Sequence, residues 1–342
     1  MSELRQDRAT GAFVIIAPQR RRRPTDSAAA GRRSESLPRF EPTCPFCPGH
    51  EAELPGIIAE AAADSSPGWS VRVVPNKFPA LLPANPAPPA HPRHHVRAGR
   101  GLHEVVIESP RHNADLAAMT TAERQAVVAM YRQRCAALLG EAWIETVVLF
   151  RNHGAAGGAT LAHPHAQIIA LGLVPPRLTA MSEAGLNYFR KEGRCATCDE
   201  LEVELAQRER IVDENAHFVA TVPYAAEHPF ELWLVPKRHR ASFTEAGDAE
   251  LQDFSDLLGR SLQRIEAALQ HPSYNFVIDS APKSEVTAPH LHWRLRIVPE
   301  TVTWGGFELG TGLPINPSIP EDDAAVLRAV ALKRARKRAS AP

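Results

Sequence analysis

Apolar and polar positions alternate through the run TLAHPHAQIIALG, residues 160–172, the pattern of a half-buried strand. Side chains on a strand change face with a period of two, so His163, His165 and Gln167 point the same way. Three polar side chains on one face of an otherwise apolar strand call for a chemical reason.

The same pattern predicts strands in WSVRVVPNKFPAL and GLHEVVIESPRH, and again in AHFVATVPYAAEHPFELWLVPKRH. Two further strands are ETVVLFRN and YNFVIDSA, and HLHWRLRIV matches HPHAQIIAL as a second H-x-H strand. Two stretches instead follow the helical period. One opens at Thr120 with Glu123 three residues on, a capping box, and runs to about Leu139 with Val127, Met130, Tyr131 and Cys135 on its apolar face. The other runs from about Ala249 to Leu269, with Leu251, Phe254, Leu258 and Ile265 inside.

These elements occur twice in one order. Each copy has two β-rich runs that end in a proline followed by a histidine, Pro110 to His112 and Pro236 to His239. A helix, a strand and an H-x-H strand follow. His112 and His163 lie 51 residues apart, as do His239 and His290. Two copies of one α+β unit is the economical reading. The boundary is placed in a linker near residues 172–195, where Pro175-Pro176 is expected to break helix and strand. The halves are then 1–178 and 179–342. By equal spacing, Arg294 of the second copy stands where Gln167 stands in the first.

The chain has 342 residues, 44% of them apolar and 23% charged, with zero net charge and a pI near 7.3. That balance offers no basic face for nucleic acid, although the tail LKRARKRASAP is locally basic and reads as a solvated helix end. No apolar run reaches the length of a membrane span and the start has no apolar leader, so a cytoplasmic protein is expected.

Cysteine usage changes the picture most. Cys44 with Cys47 and Cys195 with Cys198 form two C-x-x-C pairs, one ahead of each unit, and Cys135 reads as a helix core residue. In a reducing compartment such pairs indicate metal or redox chemistry. The first pair, in PTCPFCPGH, does not open a long helix as a redox pair would, and the second could open one at Cys198. Zinc takes four Cys or His ligands in a tetrahedron. His112 and His163 are candidates to complete the first set; His239 with His290 or His292 are candidates for the second. His50, His91, His94, His95, His153, His217, His228 and His271 are read as ordinary polar residues.

The motifs CPFCPGHE, VVPNKFPAL, FRNHGAAGGATLAHPHAQ and GGFELGTG together resemble the galactose-1-phosphate uridylyltransferase family, the transferase branch of the histidine-triad superfamily. The resemblance runs from TGAFVIIAPQRRRRP to PEDDAAVLRAV. It implies a duplicated histidine-triad unit of antiparallel sheet with flanking helices, in a homodimer. It implies His165 as nucleophile, with Gln167 hydrogen-bonding the transferred phosphoryl group. One metal would be held by Cys44, Cys47, His112 and His163. Asn152, Gly154, Gly157 and Gly158 would wrap the phosphates, and Asn76 and Phe78 would lie near base and ribose. Arg20 and Arg23 would reach phosphates in the partner's site, and Glu308 would lie near the sugar. For the second site, zinc or iron, the resemblance leaves either His290 or His292, or both.

The residue chemistry agrees with these roles. A neutral imidazole is a competent nucleophile near pH 7, and glycines let backbone N–H groups approach phosphate. Histidine-triad hydrolases carry a third histidine where this chain has Gln167, which cannot titrate; the nucleotidyl–histidine would then await an acceptor phosphate rather than water. The family's galactose 1-phosphate enzymes carry a lysine shortly before G-[FY]-E and a glutamine after it. This chain lacks both, and GGFELGTGLPINP looks more like the ADP-glucose phosphorylase branch. The favoured expectation is UDP-glucose:galactose-1-phosphate uridylyl transfer, with adenylyl transfer from ADP-glucose to phosphate next. A histidine-triad hydrolase and a non-catalytic zinc protein are the further alternatives.

Overall fold

The computed structural model describes residues 2–22, 37–62, 68–84, 93 and 98–332. Arg23, the histidines at 91, 94 and 95, and the basic tail from 333 onward lie outside the described residues.

In chain order the strands and helices are β1 (Glu3–Gln6), β2 (Phe13–Ile16), β3 (Ala59–Ala62), β4 (Trp69–Pro75), β5 (Gly101–Ile107), α1 (Thr121–Gly140), β6 (Thr146–His153) and β7 (His165–Leu171). Then come α2 (Pro176–Glu192), α3 (Ala196–Gln207), β8 (Ile211–Glu214), β9 (Phe218–Thr221), β10 (Leu232–Pro236), α4 (Asp248–Leu269), β11 (Tyr274–Asp279), β12 (Arg294–Pro299), α5 (Gly306–Thr311), β13 (Ile315–Asn316) and α6 (Pro320–Ala329).

Ten of these strands form one antiparallel sheet in the order β3-β4-β5-β7-β6-β11-β12-β10-β9-β8. Each half supplies five strands, and the order of the second half mirrors that of the first. The α+β duplication read from the sequence is therefore visible as topology. The seam is β6 against β11, where Asn152 faces Asn275 and Phe150 faces Val277.

Both long helices cover the same face of the sheet. The α1 capping box forms as predicted: Glu123 N–H donates to Thr120 Oγ1 at 3.3 Å, and Thr120 N–H donates to the Glu123 carboxylate at 2.8 Å. From α1, Val127, Met130, Tyr131 and Cys135 are buried against Val106, Ala166 and Ile168 of the sheet. From α4, Phe254, Leu258 and Leu262 are buried with Phe276, Leu295 and Ile297. Burial of each such side chain contributes about 1.5–3 kcal/mol, so this face supplies most of the stability.

The opposite face is covered differently in each half, and this sets where chemistry can occur. In the first half Phe46 and Leu54, from the turn-rich segment around Cys44 and Cys47, pack on Val105 and Ile107. In the second half Leu201 of α3 packs on Val219, Trp233 and Val235.

The segment expected to be a linker is mostly helix. Pro176 is the first residue of α2, where a missing N–H costs nothing and a fixed φ suits the helix, and Gly193 closes it in the left-handed conformation at φ 70°. The pair Pro175-Pro176 thus starts a helix rather than breaking one. The strands at the chain's beginning do not stay with the first half: β2 pairs with β13, and Val14 and Ile16 pack on Ala225.

Candidate active site and metal clusters

The first C-x-x-C pair sits in a tight turn, Cys47 N–H donating to the Cys44 carbonyl at 3.2 Å. His50, read as an ordinary polar residue, places its Nδ1 2.6 Å from that same carbonyl. The turn aims both sulfurs at two histidines. His163 Nδ1 lies 3.7 Å from Cys44 Sγ and 3.7 Å from Cys47 Sγ, and His112 Nδ1 lies 3.7 Å from Cys47 Sγ. All four ligand atoms are within 4.8 Å of one another, and all four residues are buried.

These distances fit a metal. A tetrahedral zinc bound at about 2.3 Å to sulfur and about 2.0–2.1 Å to nitrogen needs S–N edges of roughly 3.6 Å. The other nitrogen of His163, Nε2, donates to the Ser109 carbonyl at 2.8 Å, leaving the Nδ1 lone pair facing the thiols. Burial pushes His163 down to about 4, so the ring is in the neutral form a ligand requires. Burial also pushes the Cys44 thiol up to about 11, and a divalent cation would reverse that by stabilising the thiolate.

The second cluster repeats the geometry with one correction. Cys195, Cys198, His239 and His292 place their ligand atoms within 4.8 Å of one another. Cys198 Sγ lies 3.4 Å from His239 Nδ1 and 3.5 Å from His292 Nδ1, and His292 Nε2 donates to the Pro236 carbonyl at 3.0 Å. His290, the equal-spacing counterpart of His163, is not in the cluster; its Nε2 lies 3.2 Å from Ser182 Oγ. The counterpart of His163 is His292, since each bonds the carbonyl three residues before the other histidine of its cluster.

Strand register agrees. Gln167 pairs with Phe150, Arg296 pairs with Val277, and Phe150 pairs with Val277 across the seam. Arg296 therefore matches Gln167, and Arg294 matches His165 rather than Gln167. From Val277 to Arg296 the chain runs two residues further than from Phe150 to Gln167, and these two shift the count. In the second half the position of His165 is filled by a guanidinium. Arg294 is 1% exposed, lies 3.8 Å over the Trp233 ring and bonds Asp279 at 3.3 Å.

His165 and Gln167 occupy the face of β7 opposite the helices, while Ala166 and Ile168 are buried in the main core. His165 Nδ1 faces the His163 carbonyl at 2.8 Å. A carbonyl only accepts, so Nδ1 carries the proton and Nε2 presents a lone pair. Burial holds the His165 imidazole below the usual histidine range, which keeps it neutral. Phe46, between the two thiols, packs edge-on to His165 with ring centroids 5.4 Å apart.

Asn76 follows β4 and is 3.3 Å from Gln167 Oε1, so these two predicted residues meet. Phe78 is 84% exposed in the same loop. Asn152 lies two residues beyond Phe150 on β6, on the face that carries Gln167 and His165. The loop after it turns through glycines: Gly158 has φ 82°, and a Cβ on Gly157 would stand 2.5 Å from the His153 carbonyl oxygen and 2.9 Å from that of Tyr274. Gly154, at φ 74°, lies against Ser273. Beneath the loop, Arg151 is paired with Glu108 at 3.0 Å and donates to Tyr274 at 2.7 Å, which ties β5, β6 and β11 together.

Arg20 is exposed in a 3-10 turn (Pro18–Arg22) beside the small sheet, which packs on the second half. Glu308 accepts from Gly305 N–H at the start of its own helix. Among the described residues no contact brings either to His165.

Two residues passed over in the sequence belong to this site. Asn275 of the second half donates to Asn152 Oδ1 at 2.8 Å and to the Gly157 carbonyl at 2.7 Å, bracing the loop. His103 on β5 contacts Gln167 at 2.8 Å. In the sequence His103 shares only a strand face with Val105 and Ile107; its nearness to Gln167 follows from the pairing of those positions with Gln167 and His165.

A buried neutral imidazole, a neighbouring amide and a glycine loop stand on one face of the antiparallel sheet, an arrangement suited to phosphoryl-group transfer. Residues 1–175 match the family Galactose-1-phosphate uridyl transferase, N-terminal domain, and residues 183–334 match Galactose-1-phosphate uridyl transferase, C-terminal domain. The chain belongs to this family and is a nucleotidyltransferase.

Among curated relatives, ADP-glucose phosphorylase of Arabidopsis thaliana is 37% identical over 96% of this chain and 93% of its own. Galactose-1-phosphate uridylyltransferase of Haemophilus influenzae is 30% identical over 83% of this chain and 79% of its own. Among solved structures, the Arabidopsis thaliana ADP-glucose phosphorylase with bound ADP-glucose superposes with a TM-score of 0.83 at 35% identity, covering 97% of this chain and 100% of that one.

Proposed function

We propose that the chain moves a nucleotidyl group from a nucleoside-diphosphate sugar to a phosphate-bearing acceptor by way of His165. The observation that carries this is the His165 ring: its Nδ1 proton is held by the His163 carbonyl at 2.8 Å and its Nε2 is left as a neutral lone pair. Nε2 attacks the nucleotide's phosphorus; the bond to the bridging oxygen breaks and sugar 1-phosphate leaves. The ring, now cationic, is stabilised through its Nδ1–H to the carbonyl. An acceptor phosphate oxygen then attacks the same phosphorus, the P–N bond breaks and neutral His165 returns. No proton is transferred, so a non-titrating Gln167 suits the step. Its amide N–H groups donate to the phosphoryl oxygens, as do backbone N–H groups of the loop at Gly154 and Gly157, while Gly158 N–H closes the loop on the Ala155 carbonyl at 3.0 Å. Asn152 orders the loop and Phe78 offers a surface for the base.

ADP-glucose with inorganic phosphate is the favoured pair, supported by 37% identity over nearly the whole chain. UDP-glucose with galactose 1-phosphate is the second reading, supported by the 30% identical uridylyltransferase. Both Cys/His clusters would hold metal, zinc in the first and zinc or iron in the second, fixing strand ends rather than reacting. We read the halves as 1–178 and 179–342, with the active site in the first. A cytoplasmic homodimer completes the proposal. The two unbridged thiol pairs suit a reducing compartment. Exposed Trp304, Phe307 and Leu309 beside Glu308 suit a partner surface, from which Glu308 and Arg20 would reach the other site. Membrane insertion is not part of the reading: among the described residues no helix is long and apolar enough to cross a membrane.

Product analysis tests the substrate assignment. Incubation with ADP-glucose and phosphate should yield ADP and glucose 1-phosphate faster than UDP-glucose and galactose 1-phosphate yield UDP-galactose. The reverse order selects the second reading, and turnover of neither overturns both.

A further inference from the structure

We propose that His103 is a positioning residue that turns the Gln167 carboxamide toward the transferred phosphoryl group and locks the Asn76–Ala80 loop to it. This rests on the reading of Gln167 as the phosphoryl's hydrogen-bond donor.

The loop contact sets the ring's tautomer, and Asn76 Nδ2, 3.2 Å from His103 Nε2, then directs its hydrogens to Gln167 rather than to the ring. Ala80 N–H donates to His103 Nδ1 at 3.2 Å, so Nδ1 carries the lone pair. The proton of the neutral ring is then on Nε2, which lies 2.8 Å from Gln167 Oε1 and donates to it. Asn76 Nδ2 donates to the same Oε1 at 3.3 Å. With its oxygen held by two donors, the Gln167 amide must present its NH2 group elsewhere, along the face where His165 stands two residues away. Without His103 the amide can rotate by half a turn and show the phosphoryl an oxygen, which repels it. The ring thus joins Ala80 of the loop to the amide, and the His103 backbone carbonyl, which accepts from Asn76 N–H at 2.8 Å, holds the start of the same loop. Loop and amide therefore meet at one residue, its ring setting the amide. His103 makes no claim on the reacting atoms, so the effect belongs to positioning.

The experiment is single-turnover labelling of the enzyme by nucleotide sugar carrying phosphorus-32 at the retained phosphate, with binding affinity measured separately. His103→Leu removes donor and acceptor; His103→Gln keeps a donor near the position of Nε2. In His103→Leu the labelling rate should fall about 10- to 100-fold, with affinity changed much less. His103→Gln should recover most of the loss. In a Gln167→Ala background, His103→Leu should cost nothing further, because its effect passes through Gln167. Full additivity of the two substitutions, or an unchanged rate in His103→Leu, overturns the proposal. Should Gln167→Ala alone leave the rate intact, the underlying reading of Gln167 fails instead. Thermal melts of each variant separate these results from misfolding.

Discussion

The Nδ1 atom of His165 and the carbonyl oxygen of His163 are 2.8 Å apart, so a residue of the first Cys/His cluster holds the ring of its neighbour in one tautomer. Nitrogen-15 NMR of labelled histidine should therefore show a His165 ring protonated at Nδ1 and bare at Nε2 at pH 7. A ring protonated at Nε2 would remove the nucleophile from the account.

Metal content should resolve the two clusters separately. The purified chain should carry two ions, and Cys44→Ser and Cys195→Ser should each lose about one, measured by elemental analysis. His292→Asn should lose the second ion while His290→Asn keeps it, because only His292 lies with Cys195, Cys198 and His239. Retention of both ions in His292→Asn contradicts that assignment.

Much of this site was legible in the sequence. Strand alternation put His163, His165 and Gln167 on one face, and the first C-x-x-C pair makes a tight turn while the second opens α3 at Cys195. The duplicated pattern gave two copies of one α+β unit, and the structure joins them in a single sheet of mirrored strand order. What failed was counting: equal spacing selected His290 and aligned Arg294 with Gln167, because two extra residues before β12 leave no mark in a periodic pattern. His103 and Asn275 were missed for a different reason. Their importance comes from cross-strand neighbours, His103 in β5 beside β7 and Asn275 across the seam from Asn152, and register is a tertiary fact. Pro175-Pro176 was read as a breaker because proline ends helices, yet at the first helical position it starts one.

Arg294 should be structural and not catalytic. Its guanidinium is buried on Trp233 and against Asp279. Arg294→Met should lower the unfolding free energy in urea by about 1–3 kcal/mol, below the full cost of breaking a buried pair because Arg296 still meets Asp279 at 2.7 Å. The labelling rate of the enzyme by nucleotide sugar should not change. A large loss of labelling with intact stability contradicts this role.

The glycine loop leaves no room for a side chain at Gly157, where a Cβ would meet the His153 carbonyl oxygen at 2.5 Å. Gly157→Ala should cost about 1–3 kcal/mol in stability or in nucleotide-sugar binding, by calorimetry. Unchanged binding and melting would show that the loop is not held in this form.

Glu266 gives a pH dependence. Burial raises its carboxyl from 4.5 to about 7 in the folded chain. A group raised on folding stabilises the fold fully below its unfolded value and loses that contribution as pH rises through the folded one. Stability attributable to Glu266 should therefore fall between about pH 4.5 and pH 7, by up to ~3 kcal/mol. Glu266→Gln should flatten the urea-midpoint profile over that window; an unaltered slope counts against the assignment.

The central claim is a nucleotidyl group on His165 Nε2. The direct measurement is peptide mapping of the chain after brief exposure to ADP-glucose and UDP-glucose labelled at the phosphate nearest the nucleoside. The account predicts an acid-labile, base-stable label on the peptide that contains His165 with at least one donor, discharged by the acceptor phosphate and absent from His165→Ala. Full labelling of His165→Ala, or a label on another residue, would contradict it.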